Sequence, residues 1–445
     1  MSQPINNSAQ TTLIRGARMA GGETSDILSA NGVIVAVGAD AAAQTGEQAE
    51  VVEADGLIAL PGFVDLHTHL REPGREDAET IATGSAAAAA GGFTAVLAMA
   101  NTSPVTDTAE AAERIAELGQ RAGLVEVIPV GAVTAGLAGE QLAELGLMAS
   151  SRARVRVFSD DGKCVHDSRV MRRALEYVKA FDGVISQHAQ DPNLASKSSC
   201  CHEGELSGRL GLPGWPSIAE ESIVARDVML ARHTGSRVHI AHVSTAGSVE
   251  VLRWAKAQGI NVTAEVTPHH LMLTTDLLAA YDPVFKVNPP LRPAEDVEAL
   301  RTALADGTID AVATDHAPHV RHDKEHAFID AAFGMLGLET ALPVVCTAMV
   351  ESGMMGWERV AKVMSIAPAR IARLATQGRP LVPGAPANLT LVDPHRERVI
   401  DRSSSLSLSR NNPWHDRSLT GTVELTMLQG RITARQGNVL GSAYE

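Results

Sequence analysis

Pro61-Gly62-Phe63-Val64-Asp65-Leu66-His67-Thr68-His69-Leu70-Arg71 sets two imidazoles two residues apart at the end of an apolar run. The run starts at Leu57-Ile58-Ala59-Leu60 and resumes at Phe63-Val64, the texture of a buried strand. Along a strand, residues i and i+2 share a face, so His67 and His69 can hold one metal ion. A lone His-x-His is a weak signal, because two satisfied histidines at a strand end look the same. The rest of the chain decides between the two.

Downstream of Pro61, apolar strand-like runs alternate with Ala/Leu/Glu/Arg-rich helical stretches. The strand-like runs are Ala95–Met99, Glu126–Val130, Arg154–Phe158, Gly183–Gln187, Arg237–Val243, Asn261–Thr267 and Ile309–Thr314. Helical text covers 77–90, 108–122, 168–181, 218–232, 247–257, 296–305 and 336–376. About eight β/α repeats in succession predict an α/β fold, a TIM-type (β/α)8 barrel rather than an open sheet. Short alternating runs before the barrel, such as Val33–Val37, and after it, at Asn388–Val392, Gly421–Leu428 and Arg431–Arg435, predict further strands. The expected organisation is a small discontinuous β domain built from both chain ends, residues 1–60 and 378–445, around a barrel at 61–377. Two separate β appendages are the alternative. Ser196 to Pro216, rich in Ser, Gly and Pro, predicts a long loop over one barrel face.

Composition narrows the class. Hydrophobic residues form 45% and charged residues 20% of the 445, a globular balance that argues against disorder. Aromatics are only 3%, so the core must be built from Ala, Val, Leu and Ile. A net charge of −14 disfavours nucleic acid and anionic membranes as partners, and an anionic substrate would need a local basic cluster. Met1-Ser2-Gln3-Pro4-Ile5-Asn6-Asn7 carries no signal-peptide pattern, and no apolar run is long enough for a membrane span. The four cysteines form no Cys-x-x-Cys pair and no disulfide framework. These features predict a cytoplasmic protein.

Several predicted strands end in a residue able to bind metal or substrate, as the C-terminal ends of barrel strands do in barrel enzymes. The first ends in His67, His69 and Arg71; Arg154–Phe158 leads into Ser159-Asp160-Asp161-Gly162. Gly183–Gln187 ends in His188, Val238–Ala241 in His242, and Asp310–Thr314 in Asp315-His316-Ala317-Pro318-His319. Four histidines and two carboxylates suffice for a two-metal site with a bridging carboxylate. Each histidine alone would more often be structural; their recurrence at successive strand ends points to a site.

The chain resembles a known family through His67-Thr68-His69-Leu70-Arg71, Met99-Ala100-Asn101-Thr102, Phe158-Ser159-Asp160-Asp161-Gly162, Gln187-His188-Ala189 and His242-Val243-Ser244-Thr245-Ala246. Thr267-Pro268-His269-His270-Leu271, Asn288-Pro289-Pro290-Leu291-Arg292 and Thr314-Asp315-His316-Ala317-Pro318-His319 extend the likeness. Together these motifs resemble the amidohydrolase superfamily and, within it, the class I dihydroorotases, over nearly the whole chain. The resemblance implies two zinc ions per subunit: His67, His69 and Asp315 on one, His188 and His242 on the other, and Asp161 bridging. Asp160 is the rival for the bridge, and Lys163 is expected to face solvent. It implies Asp315 as general acid/base and Arg71, Asn101, Asn288 and His319 as substrate ligands. The implied reaction is the reversible cyclisation of N-carbamoyl-L-aspartate to dihydroorotate in pyrimidine biosynthesis. A homodimer and a possible aspartate transcarbamoylase partner are implied as well.

Other residues take plainer readings. His269 and His270 are adjacent and on a strand would point opposite ways. His322, Asp323, Glu325 and His326 are expected to form a polar loop beside the site, and Cys200-Cys201 an incidental thiol pair. Ala100 stands where the family usually has proline, Asn388 where it has aspartate, and Gln190 where an acidic residue is common. Gln190 would then weaken support of His188. The competing readings are a hydantoinase or allantoinase, which generally bridges with a carboxylated lysine, and a non-catalytic dihydroorotase-like scaffold of aspartate transcarbamoylase.

Overall fold

Every residue of the strand Phe63–Thr68 is buried, the apolar Phe63, Val64 and Leu66 together with Asp65, His67 and Thr68. In the computed structural model, which describes residues 11–46 and 48–441, this strand is the first of eight parallel ones. It pairs with Phe93–Ala98, which pairs with Glu126–Pro129. A second arc runs Val157–Phe158, Val184–Gln187, Val238–Ile240, Val262–Val266 and Ala311–Val312. Bridges Gly131↔Phe158 and Thr68↔His316 join the two arcs at both seams. The amide of His69 donates to the carbonyl of His316 at 2.8 Å across the second seam. The ring is therefore closed, and the strand-end residues face one mouth.

Helices cover the ring for reasons visible in the text. Helix Ala109–Ala122 is capped by Thr108 and ends at Gly123, whose φ of 67° suits glycine. It buries Ala112, Ile115, Leu118, Gly119 and Ala122, one face at helical spacing. Gly119 lets the third strand approach: a Cβ there would lie 2.4 Å from that of Val127. The helical text after the eighth strand differs from one long helix. It forms two helical stretches, 341–350 and 357–371, each containing a π-helical turn (Cys346–Val350 and Lys362–Ile366), with a turn at Gly353 (φ 74°) between them.

The flanking segments form a single nine-stranded sheet. Ile58–Pro61 pairs parallel with Thr11–Met19 and antiparallel with Leu389–Val399, so both ends of the chain meet on one strand. That strand runs through Gly62 straight into the first barrel strand. Asn388 takes a structural role, its Oδ1 accepting from the Gln429 amide and its Nδ2 donating to the Thr376 carbonyl. The expectation for residues 1–10 lies outside the described residues. Among the described residues, no helix is long and apolar enough to cross a membrane.

The segment 196–216 is more ordered than a loop. Two short parallel strands, Cys201–His202 and Gly214–Trp215, flank the helix Glu205–Leu210. Elements of two and six residues are too short to leave a period in the sequence. Buried Arg292 ties them to the barrel by donating to the Trp215 carbonyl at 3.2 Å and contacting His202 Nδ1 at 3.1 Å.

One glycine permits the turn from the first helix, Ile81–Ala90, into the second strand. Gly92 has a φ of 88°, and a Cβ there would lie 2.8 Å from the Phe63 ring. Gly92→Ala is therefore expected to lower stability by about 1–3 kcal/mol, read as an earlier midpoint in urea unfolding at fixed zinc.

Candidate metal centre

Asp161 leaves the barrel just after the fourth strand and lies between two pairs of imidazoles. Its Oδ1 is 3.2 Å from His67 Nε2, 3.3 Å from His188 Nδ1 and 3.4 Å from His242 Nε2. Its Oδ2 is 3.3 Å from His69 Nε2. Asp315 Oδ1 closes the first pair, 3.0 Å from His69 Nε2 and 3.6 Å from His67 Nε2. All six predicted metal ligands thus meet in one buried cluster. Asp161 belongs to both ligand groups, with His67 and His69 on one side and with His188 and His242 on the other.

The neighbouring Asp160 is turned away. It accepts from the amides of Val133 at 2.8 Å and Thr134 at 3.0 Å, and from the Thr134 hydroxyl. Its lone pairs are committed to the loop after the third strand. Lys163 is exposed.

The donor set fits metal ions on its own chemistry. His67 Nδ1–H donates to Glu265 at 3.0 Å, which leaves Nε2 as a lone pair aimed at a carboxylate. His67 Nε2 and Asp161 Oδ1 are both buried without a hydrogen-bond partner. His188 Nε2–H donates to Gln190 Oε1 at 2.8 Å, so its Nδ1 lone pair faces His242 Nε2 at 2.9 Å. Converging lone pairs and carboxylates need a cation between them. Without one, protons must serve. Burial opposes ionisation of Asp161, yet the imidazoles of His67, His188 and His242 outweigh it and hold its carboxyl well below the usual range. Burial likewise works against a charged His67, and Asp161 and Asp315 reverse the effect.

Around the cluster stand groups the sequence reading did not single out. Glu265, on the seventh strand, accepts from His67 Nδ1 and from His239 Nε2, both at 3.0 Å. Burial would raise its carboxyl, but His239 and His67 bring it down to about 2. Asp65 ties the first strand to the eighth, accepting from the amides of His67 and Thr314 at 3.0 Å and from the Thr314 hydroxyl at 2.6 Å. A signal for these residues was present: Asp65, His239 and Glu265 are ionisable residues inside strand runs that are otherwise apolar.

The predicted substrate ligands surround the same mouth. Asn101 Oδ1 accepts from His69 Nδ1–H at 2.9 Å, so Asn101 orients a candidate metal ligand and keeps its Nδ2 free of that bond. Arg71 donates through Nε to the Pro318 carbonyl at 3.0 Å and lies 3.4 Å from His319 Nε2. Asn288 Nδ2 donates to Gln190 Oε1 at 3.2 Å, leaving a buried, unpartnered Oδ1. Gln190 therefore supports His188 and holds Asn288 with one oxygen, a neutral acceptor where a carboxylate would grip the imidazole more strongly. His269 and His270 lie on a 3-10 turn, not a strand, and their rings are 4.6 Å apart. Pro268 ends the strand by locking the backbone into that turn. His270 reaches from Thr267 Oγ1 to the Pro289 carbonyl and so braces the Asn288 loop.

With this geometry in view, comparison with known proteins is direct. The Dihydro-orotase-like family model matches residues 56–248, and the Amidohydrolase family model matches 216–433. A dihydroorotase of Streptomyces coelicolor is 59% identical over 428 residues, covering 96% of this chain and 99% of that protein. A dihydroorotase of Mycobacterium tuberculosis is 56% identical over 430 residues, 96% and 99% of the two chains. The chain belongs to the dihydroorotase family. An L-hydantoinase (dihydropyrimidinase) from Arthrobacter aurescens is similar in structure, with a TM-score of 0.85 and 26% identity over 97% of both chains. A Brevibacillus agri dihydropyrimidinase, at TM-score 0.84 and 21% identity, shares the fold. The family thus accounts for the barrel.

Glu265→Gln preserves shape but substitutes a neutral amide for the anion that fixes the His67 tautomer. It is expected to weaken metal binding about 10–100-fold, measured by competition with a zinc indicator.

Proposed function

We infer that the chain is a dihydroorotase that interconverts dihydroorotate and N-carbamoyl-L-aspartate for pyrimidine synthesis. The observation that carries the reading is the convergence of two histidine pairs on Asp161, with Arg71 and His319 at the same mouth, in a chain 59% identical to a dihydroorotase. Two zinc ions are proposed, one on His67, His69 and Asp315, the other on His188 and His242, with Asp161 shared. When bound, the pair lowers the pKa of a water molecule and polarises a carbonyl as a Lewis acid.

The chain's own groups do the rest. Arg71 and Asn101 donate to the substrate carboxylate, the planar guanidinium suited to a two-point grip, and His319, its Nε2–H held by the Phe333 carbonyl, binds it through Nδ1–H as the imidazolium that the incoming negative charge stabilises. The unpartnered Oδ1 of Asn288 accepts from an N–H on the polar edge of the ring. Asp315, held as a carboxylate chiefly by His67 and His69 against the effect of burial, takes a proton from the attacking water. It passes that proton to the ring nitrogen as the amide bond breaks, the second proton of the water is released to solvent, and the product leaves with a new carboxylate. In the synthetic direction the proton moves the other way and water is lost.

The hydantoinase alternative rests on likeness in fold. Asp161 between the histidine pairs and an exposed Lys163 favour the dihydroorotase reading, and a full ligand set argues against a scaffold without catalysis. A homodimer, an aspartate transcarbamoylase partner and a cytoplasmic location are further parts of the proposal, supported by the family resemblance. Sedimentation of the chain alone and with that transcarbamoylase tests the first two.

Purified protein should hydrolyse dihydroorotate in preference to hydantoin and allantoin, with two zincs per chain by elemental analysis. A preference for hydantoin would overturn the substrate assignment. Asp315→Asn should keep the fold and lose at least about 10²–10⁴-fold in kcat, followed by ring opening in the ultraviolet. Chelation should abolish turnover, and added zinc should restore it.

A further inference from the structure

Lys324 ends the short helix Arg321–Lys324 in the segment after the eighth strand, and it is buried. Its Nζ donates to three main-chain carbonyls: Ala332 at 2.8 Å, Gly334 at 3.1 Å and Lys286 at 3.2 Å. Burying an ammonium among neutral acceptors is costly, and an apolar side chain would fill the same space more cheaply. What the ammonium adds is direction. It draws together the carbonyls on either side of Phe333, and the Phe333 carbonyl accepts His319 Nε2–H at 2.7 Å.

The contact between that strip and the imidazole is tight. A Cβ on Gly334 would lie 2.9 Å from His319 Nε2, and Gly334 has a φ of 142°. The Gly334 amide donates to the Lys286 carbonyl at 3.0 Å, and Asn411 Nδ2 donates to the Gly334 carbonyl at 3.2 Å. The Phe333 side chain is pinned as well, with Lys286 Nζ 4.3 Å from its ring centre and Trp215 edge-on against it. His319 Nδ1 makes no hydrogen bond, with Asp323 Oδ2 facing it at 3.6 Å, so the 2.7 Å contact to the Phe333 carbonyl is the closest polar tether of the ring.

We propose that Lys324 is a positioning residue for substrate-carboxylate binding: by clamping the Ala332 and Gly334 carbonyls it fixes the Phe333 carbonyl, and through it the His319 ring beside Arg71. Lys324 touches no substrate on this account. The proposal rests on the reading of His319 as a ligand of the dihydroorotate carboxylate.

A double-mutant cycle on the zinc-loaded enzyme tests it. Lys324→Met should raise KM for dihydroorotate roughly tenfold, leave kcat within about twofold and leave bound zinc unchanged. In the His319→Ala background the same substitution should change KM by less than about twofold, because its route to the substrate is gone. An unchanged KM in the single variant overturns the proposal. So does an equal, multiplicative rise in the His319→Ala background, or a joint fall of kcat, zinc content and thermal stability. If Lys324→Met does not fold, Lys324→Gln, which keeps two N–H donors for the carbonyls, should give a smaller KM rise with the same coupling to His319. Failure of the unmodified enzyme to turn over dihydroorotate would overturn the parent reading and this proposal with it, which separates the two failures.

Discussion

A buried carboxylate shared by four imidazoles is the constraint on which the rest of this structure depends. Asp161 is buried with Asp315, and neither could remain ionised there without the positive or polarisable groups around it. Each imidazole in turn must present a lone pair inward, and for three of the four the other nitrogen has an acceptor. Glu265 serves His67, Asn101 serves His69, and Gln190 serves His188. The demand for acceptors therefore spreads outward from one aspartate into three different elements, and it explains buried polar residues that a core would otherwise exclude.

Backbone conformation follows the same logic. Arg71, His242 and Asp315 all have positive φ, at 60°, 33° and 48°, although none is glycine. Left-handed backbone at such residues costs about 1–3 kcal/mol each, and surrounding structure has to hold it. All three lie where a strand has just ended and the chain must turn its side chain over the mouth of the barrel. Asp65, bonded to both the His67 and Thr314 amides, is one of the groups that hold this geometry.

The mouth is also asymmetric in its chemistry. One side gathers the carboxylates and imidazoles proposed to hold metal; the other presents Arg71, His319 and the free functions of Asn101 and Asn288. In a chain of net charge −14, that second side would supply, on the proposed function, the local cation an anionic substrate requires. The segment after the eighth strand carries His319 and borrows its order from two buried lysines, Lys286 and Lys324, each bonded to main-chain carbonyls. Between the bridges of His316 to Thr68 and to Met335, its precision comes from donors aimed at its own backbone.

Much of this was legible in the residues. The alternation of strand and helix text, the apolar run ending in His67-Thr68-His69, and ligand residues at successive strand ends announced a barrel with a metal site, because burial and side-chain period are local properties of sequence. What sequence alone left open was settled by contacts between distant segments. Asp160 and Asp161 are adjacent and chemically identical, and only the packing of the Val133–Thr134 loop against one of them decides which faces the histidines. Glu265, His239 and Asp65 were anonymous until strands far apart in the chain lay side by side, and His269–His270 looked like strand until Pro268 turned the backbone. Nothing in the sequence marks Lys324, because its partners are backbone carbonyls, which no side-chain sequence displays. The chain's text determined the fold, the ligand types and the chemistry; which atom faces which was decided only in the tertiary structure, since directions between remote residues are set by closure of the barrel.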